Sequence, residues 1–196
     1  MADKGAFELA RTVSLDFDGV LSSLVLGRTW EKTRTRKRRA SFLSPAVRAV
    51  KNGAAALTER LRKPLPRVEE ALREIRTPQR TICLLTSRTG RRIPAAERWL
   101  DRHLGAGLFE RLFFNAAGED ADRFKARVLE SQPIDVHVDD DPETLAVLAR
   151  EFPDRLFIHL NHYRRRSPPA ENIVVVAGWD EAAALFASPR PGPPRD

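Results

Sequence analysis

Short apolar runs alternate with helix-patterned stretches along most of this chain, and several of the runs end in carboxylate or hydroxyl side chains. Thr12-Val13-Ser14-Leu15 runs into Asp16-Phe17-Asp18-Gly19, Thr81 to Leu85 into Thr86-Ser87, and Val136-His137-Val138 into Asp139-Asp140-Asp141. Leu112-Phe113-Phe114, Leu156 to Leu160 and Ile173 to Val176 read as further strands. Between them lie helical patterns. Pro66 to Ile75 sets Val68, Ala71, Leu72 and Ile75 on one face, with Pro66 suited to a first turn. Ala95 to Leu104, Asp122 to Leu129, Pro142 to Phe152 and Asp180 to Phe186 follow the same logic. Repeated strand–helix alternation forces right-handed crossovers and a mainly parallel sheet with helices on both faces. The expected fold class is α/β, a Rossmann-like three-layer α/β/α sandwich.

One segment breaks the alternation. About 45 residues separate Leu21 from Pro66, far more than a strand-to-helix loop needs. The stretch Pro45 to Arg62 spaces Val47, Val50, Ala54, Leu57 and Leu61 three or four apart. Residues 22–65 are therefore expected to form a small helical cap insert in an α/β domain of residues 1–187. Residues 188–196, with four prolines and a glycine, read as a disordered tail.

Charge is concentrated in the insert. Seven basic residues lie between Arg28 and Arg39 against one acid, Glu31, and this run holds six of the chain's seven net positive charges. A solvated loop, a funnel for phosphorylated substrate and a contact surface for nucleic acid all fit such a run, with Arg164-Arg165-Arg166 as a second patch for the last. Trp30 beside it is read as an anchor for the insert. The single cysteine, Cys83, excludes a disulfide framework and fits a reducing compartment. No apolar stretch approaches the roughly 20 residues that span a bilayer. Met1 to Leu9 carries charges where a secretory segment would be apolar. A soluble, cytoplasmic protein without membrane contact is expected.

Ligands of parallel α/β sheets bind beyond the carboxyl ends of the strands, where the polar residues of this chain gather. Carboxylates brought together at one such edge repel unless a cation joins them. Hard oxygen ligands with a hydroxyl and an ammonium nearby suit Mg²⁺ and a phosphate group. Taken singly, each feature has an ordinary reading: an Asp-x-Asp turn, a hydroxyl capping the next helix, a solvated Lys125, acids at a helix N-terminus before Pro142. A receiver domain would place its paired acids first and its lysine last, the reverse of the order here. The histidines at 103, 137, 159 and 162 lack metal-ligand spacing and read as structural or surface groups.

Leu15-Asp16-Phe17-Asp18-Gly19-Val20-Leu21 resembles the first motif of the haloacid dehalogenase (HAD) superfamily of phosphohydrolases. Leu84-Leu85-Thr86-Ser87 is similar to its second motif, Lys125 to its third, and Val136-His137-Val138-Asp139-Asp140 to its fourth, all in family order. His159 to Tyr163 and Gly178 to Glu181 loosely resemble the 5'(3')-deoxyribonucleotidase branch. The resemblance implies catalytic roles for Asp16 as nucleophile, Asp18 as general acid and base, and Lys125 as charge neutraliser. It implies substrate binding by Thr86, Ser87 and Arg88. It implies Mg²⁺ held at Asp16, Asp18 (through its backbone carbonyl), Asp139 and Asp140. Dehalogenating members lack an acid at the Asp18 position, so phosphate chemistry is favoured. The expected activity is Mg²⁺-dependent hydrolysis of a phosphomonoester, a nucleotide or other small phosphorylated substrate. The alternatives are a phosphatase of nucleic-acid ends, reached through Arg28 to Arg39, and a non-catalytic nucleic-acid-binding protein on the same scaffold.

Overall fold

The computed structural model describes residues 4–23, 62–90, 92–105, 107–162, 166 and 170–187. The basic run, the Pro45–Leu61 part of the helical pattern, Trp30, Arg164, Arg165 and the 188–196 tail lie outside these residues.

The elements run α1 (Lys4–Leu9), β1 (Thr12–Leu15), α2 (Val68–Ile75), β2 (Thr81–Thr86), α3 (Arg92–His103), β3 (Arg111–Phe114), α4 (Ala121–Ser131), β4 (Val136–Asp139), α5 (Pro142–Glu151), β5 (Leu156–Leu160), β6 (Ile173–Val176) and α6 (Trp179–Phe186). The strands form one sheet in the order β3-β2-β1-β4-β5-β6, every pairing parallel. The expected class is observed, with the sheet parallel throughout among the described residues. The chain builds outward from β1 through β2 to β3, then returns to lay β4 on the other side of β1. That reversal leaves a crevice at the carboxyl ends of β1 and β4, where α/β sheets place their ligands.

Each layer follows from side-chain pattern. On one face, α2 presents Val68, Ala71, Leu72 and Ile75, and α6 presents Trp179, Ala182, Ala183 and Phe186. These pack with Val13, Leu15, Ile82, Leu84, Val136 and Val138 of the central strands. On the other face, Phe124, Val128 and Leu129 of α4 and Leu145 and Leu148 of α5 pack with Leu85 and Phe157. Pro142 opens α5 where its missing N–H costs nothing, and the Asp141 side chain accepts from Glu143 N at 3.2 Å as the cap.

The N-terminal helix was not legible in the sequence. At six residues it is too short to show a period, and its place is set by tertiary contacts: Phe7 is buried edge-on against Phe186, centroids 5.9 Å apart. Arg80 clasps the same corner. Its buried guanidinium donates to the carbonyls of Ala10 (2.9 Å), Glu8 (2.8 Å), Phe7 (3.4 Å), Ile75 (3.2 Å) and Phe186 (3.4 Å), closing the ends of α1, α2 and α6. Arg80→Leu strands these carbonyls and is expected to cost at least about 2 kcal/mol in a urea unfolding series. A loss below about 0.5 kcal/mol, the range of an ordinary surface substitution, contradicts the clasp.

Candidate active site

Asp16 follows β1 directly, and its N–H donates to the Val138 carbonyl at 2.9 Å, which continues the ladder and sets it beside Asp139 at the end of β4. Both carboxylates are buried, and a third, Asp140, is nearly so. One oxygen from each of the three lies within 4.8 Å of the others. Lys125, on the buried side of α4, reaches the group from below. Its ammonium stands 2.6 Å from Asp139 Oδ2 and 2.9 Å from Asp16 Oδ1. The Asp16 contact is off the axis of a hydrogen bond, so Oδ1 keeps an acceptor direction for another partner. Asp16 Oδ2 accepts from Asp18 N at 3.1 Å, and Asp139 Oδ1 from Asp141 N at 3.1 Å.

The two acids on the lysine respond differently to burial. For Asp16 desolvation outweighs Lys125, with Asp139 and Asp18 adding repulsion, and its carboxyl is pushed above the usual carboxylate range. For Asp139 burial also raises, but Lys125 and the His137 contact overturn it, and the group stays ionised well below that range. Burial lowers the Lys125 ammonium, yet the two carboxylates more than reverse this and hold the charge firmly. Lys125 therefore does not fully compensate Asp16. A hard divalent ion at the Asp16, Asp139 and Asp140 oxygens fits this deficit in charge and in ligand type.

Gly19 lets the loop after Asp16 pass the site. Its φ is +78°, and a Cβ there would collide with the Asp140 carboxylate, so the position is closed to other residues on two grounds. Thr86 ends β2 with its hydroxyl buried and without a hydrogen-bond partner among the described residues. A buried, unpaired donor at the carboxyl edge of the sheet fits a phosphate oxygen. Ser87, the next residue, is half-buried.

Asp18 is placed differently from the other acids. Its carboxylate takes a two-point contact from Arg88, Nε to Oδ2 at 3.0 Å and Nη2 to Oδ1 at 2.8 Å, and a third from Arg62 Nη1 at 2.6 Å. Arg88 is fully buried, its guanidinium 4.0 Å from the centre of the Phe17 ring. Burial would raise Asp18, but Arg88 first and Arg62 next bring it down to about 2. The Asp18 side chain thus stands apart from the three-carboxylate cluster, and Arg88, expected on the substrate, is engaged with Asp18.

Arg62 was missed in the sequence reading. It sits just before Pro64, which forms an antiparallel bridge with Ser22, and Leu65 N donates to Leu21 O at 2.9 Å. Arg62 Nη1 also donates to Ser22 Oγ at 3.1 Å, and its carbonyl accepts from Trp99 Nε1 at 3.0 Å. No local pattern announces this, because a distant chain crossing creates the contact.

The fold is that of the HAD-superfamily hydrolases. A HAD-superfamily hydrolase of subfamily IA from Geobacter sulfurreducens superposes with a TM-score of 0.58 at 16% identity, over 91% of this chain and 97% of that one. The L-2-haloacid dehalogenase RSc1362 gives a TM-score of 0.62 at 14% identity, over 90% and 98%. A chain of the Pnkp1/Rnl/Hen1 RNA repair complex gives 0.53 at 15% identity, over 77% of this chain and 42% of that one. No protein-family model and no curated protein matches the sequence. Among the described residues no helix is long and apolar enough to cross a membrane.

The arginine pairing of Asp18 makes stability depend on acid. A carboxyl ordinarily near 3.8 and held near 2 in the fold contributes stability above its unfolded value, lost as pH falls through about 2. Melting temperature should therefore fall between about pH 4 and pH 2, and Asp18→Asn should flatten that part of the profile. An unchanged slope in the variant contradicts the pairing.

Proposed function

We propose that this protein is a Mg²⁺-dependent phosphomonoester hydrolase that forms an aspartyl-phosphate on Asp16, with a nucleotide or other small phosphorylated compound as substrate. The convergence of Asp16, Asp139 and Asp140 at one sheet edge, with Lys125 bridging the first two, carries the reading. Asp16, Asp139 and Asp140 would hold the ion, with the Asp18 carbonyl as the remaining ligand implied by the family resemblance. When bound, Mg²⁺ offsets the repulsion between an anionic nucleophile and an anionic phosphate.

The chemistry then follows from this chain's own side chains. An Asp16 carboxylate oxygen bonds to phosphorus as the bond to the leaving oxygen breaks, giving an acyl phosphate and an alcohol. Water next attacks phosphorus, the Asp16–phosphorus bond breaks, and inorganic phosphate departs. Burial strips water from the Asp16 carboxylate and favours its neutral form, so the cations beside it are needed to keep it as the anionic nucleophile. Lys125 faces the charge that develops on Asp16 and the transferring group. The Thr86 hydroxyl donates to a phosphate oxygen, and Ser87 lies alongside it.

Asp18, held ionised by Arg88 and Arg62, takes the proton from attacking water in the second step once those guanidiniums turn toward phosphate and its basicity rises. To protonate the leaving oxygen in the first step it must carry a proton. That loosens its pairing with the two guanidiniums, which can then turn toward phosphate. In this reading Arg88 meets the substrate through its exchange with Asp18. An acid at this position also separates the chain from dehalogenation, which has no leaving oxygen to protonate.

A second substrate reading, phosphorylated ends of nucleic acid, is favoured by the basic run from Arg28 to Arg39 and by the likeness to a chain of an RNA repair complex. A screen over nucleotides, sugar phosphates and 3'- or 5'-phosphorylated oligonucleotides separates the two by kcat/KM. A salt-sensitive gel shift without turnover would instead support the non-catalytic binding protein.

Asp16→Asn is expected to lower kcat by about a thousandfold or more, and EDTA to abolish turnover until Mg²⁺ is restored. Hydrolysis that survives both treatments contradicts the proposed site.

A further inference from the structure

Ser14 and His137 face each other directly across the two central strands, as partners in the β1–β4 register. Both are fully buried. Central strands of a parallel sheet are covered on both faces and ordinarily carry apolar side chains there. Polar groups in such a place are costly unless each is satisfied, and here they satisfy one another. Ser14 Oγ lies 2.9 Å from His137 Nδ1. His137 Nε2 lies 3.4 Å from Asp139 Oδ2, the same oxygen that receives Lys125 Nζ at 2.6 Å. Strand alternation turns residues 137 and 139 to one face, so the imidazole stands beneath the carboxylate.

The direction of the bonds follows from the acceptor at the end. Asp139 is ionised and offers only lone pairs, so Nε2 carries the hydrogen and donates. With Nε2 the donor, a singly protonated ring accepts at Nδ1 from the Ser14 hydroxyl, whose other acceptor within reach is the Val136 carbonyl at 3.4 Å. The 3.4 Å separation is long for a full hydrogen bond, while the 2.9 Å contact with Ser14 at the other end fixes the ring. Asp139 Oδ1 is tied separately to the Asp141 N–H at 3.1 Å. Both carboxylate oxygens are thus held.

We propose that His137, with Ser14 behind it, is a positioning residue that orients Asp139 for the divalent ion. The proposal rests on the reading of Asp16, Asp139 and Asp140 as a metal site. It assigns to this histidine a place in the function rather than in the core alone. Outer partners of metal ligands typically contribute 10- to 100-fold to metal affinity.

The test compares wild type, His137→Leu, His137→Gln and Ser14→Ala by isothermal titration with Mg²⁺, by the Mg²⁺ concentration for half-maximal hydrolysis of p-nitrophenyl phosphate, and by thermal melting. His137→Leu is expected to weaken Mg²⁺ binding about 10- to 100-fold and to raise the half-activating concentration to match, with kcat at saturating Mg²⁺ little changed. His137→Gln, which keeps a donor near Nε2, should recover most of the affinity. A purely structural histidine would lower the melting temperature in both variants without separating their Mg²⁺ affinities, and that result overturns the proposal. If His137→Leu does not fold, Ser14→Ala decides: weaker Mg²⁺ binding supports the chain of contacts, and unchanged binding overturns it. A wild type that binds Mg²⁺ while His137→Leu matches it sinks this proposal alone. A wild type that binds no divalent ion removes the metal-site reading and this proposal with it.

Discussion

The Lys125 ammonium, 2.6 Å from Asp139 and 2.9 Å from Asp16, allows two adjacent central strands to end in buried carboxylates. Without it the two acids would meet across the β1–β4 seam with no cation between them. Removing one partner of a buried ion pair typically costs about 3–5 kcal/mol, because a charge is left uncompensated. The bridge also fixes α4 against the sheet, since Lys125 shares its helix with Phe124, Val128 and Leu129, which pack on the same side. Site and fold are thus held by one interaction, and the bridge is incomplete. Burial disfavours the Asp16 anion, and the convergence of three carboxylate oxygens beside it is the geometric ground for the divalent ion proposed there.

A second charge group stands apart from the first. Asp18, Arg88 and Arg62 join the loop after β1, the loop after β2 and the segment that leads into α2. Its acid is held near 2 while Asp16 is raised. Two carboxylates two residues apart are therefore driven in opposite directions by their surroundings, Asp16 by desolvation and Asp18 by its two guanidiniums. Arg62, from the segment that returns beside Ser22, bears directly on Asp18.

The strands and the later helices were legible in the sequence because each is a short apolar run or a clear helical face bounded by polar residues. Asp16, Thr86, Asp139 and Asp140 were legible for the same reason: each terminates such a run. Lys125 was found by motif order, since a lone lysine on a helix carries no signal. Three features lay beyond reach. The N-terminal helix depends on Phe7 meeting Phe186 at the far end of the chain. The Arg62–Asp18 contact joins residues 44 positions apart, which no local pattern signals. His137 read from the sequence as a structural or surface group, and only the β1–β4 register that sets it opposite Ser14 reveals a buried polar pair.

The central claim is that the Asp16 carboxylate itself takes the phosphoryl group. Rapid mixing with Mg²⁺ and p-nitrophenyl phosphate, quenching into borohydride and peptide mapping by mass spectrometry tests it directly, because reduction converts an acyl phosphate into an alcohol side chain. The account predicts homoserine at position 16 and at no other acid. Reduction at another carboxylate, or hydrolysis with no reducible acyl phosphate formed, would contradict it.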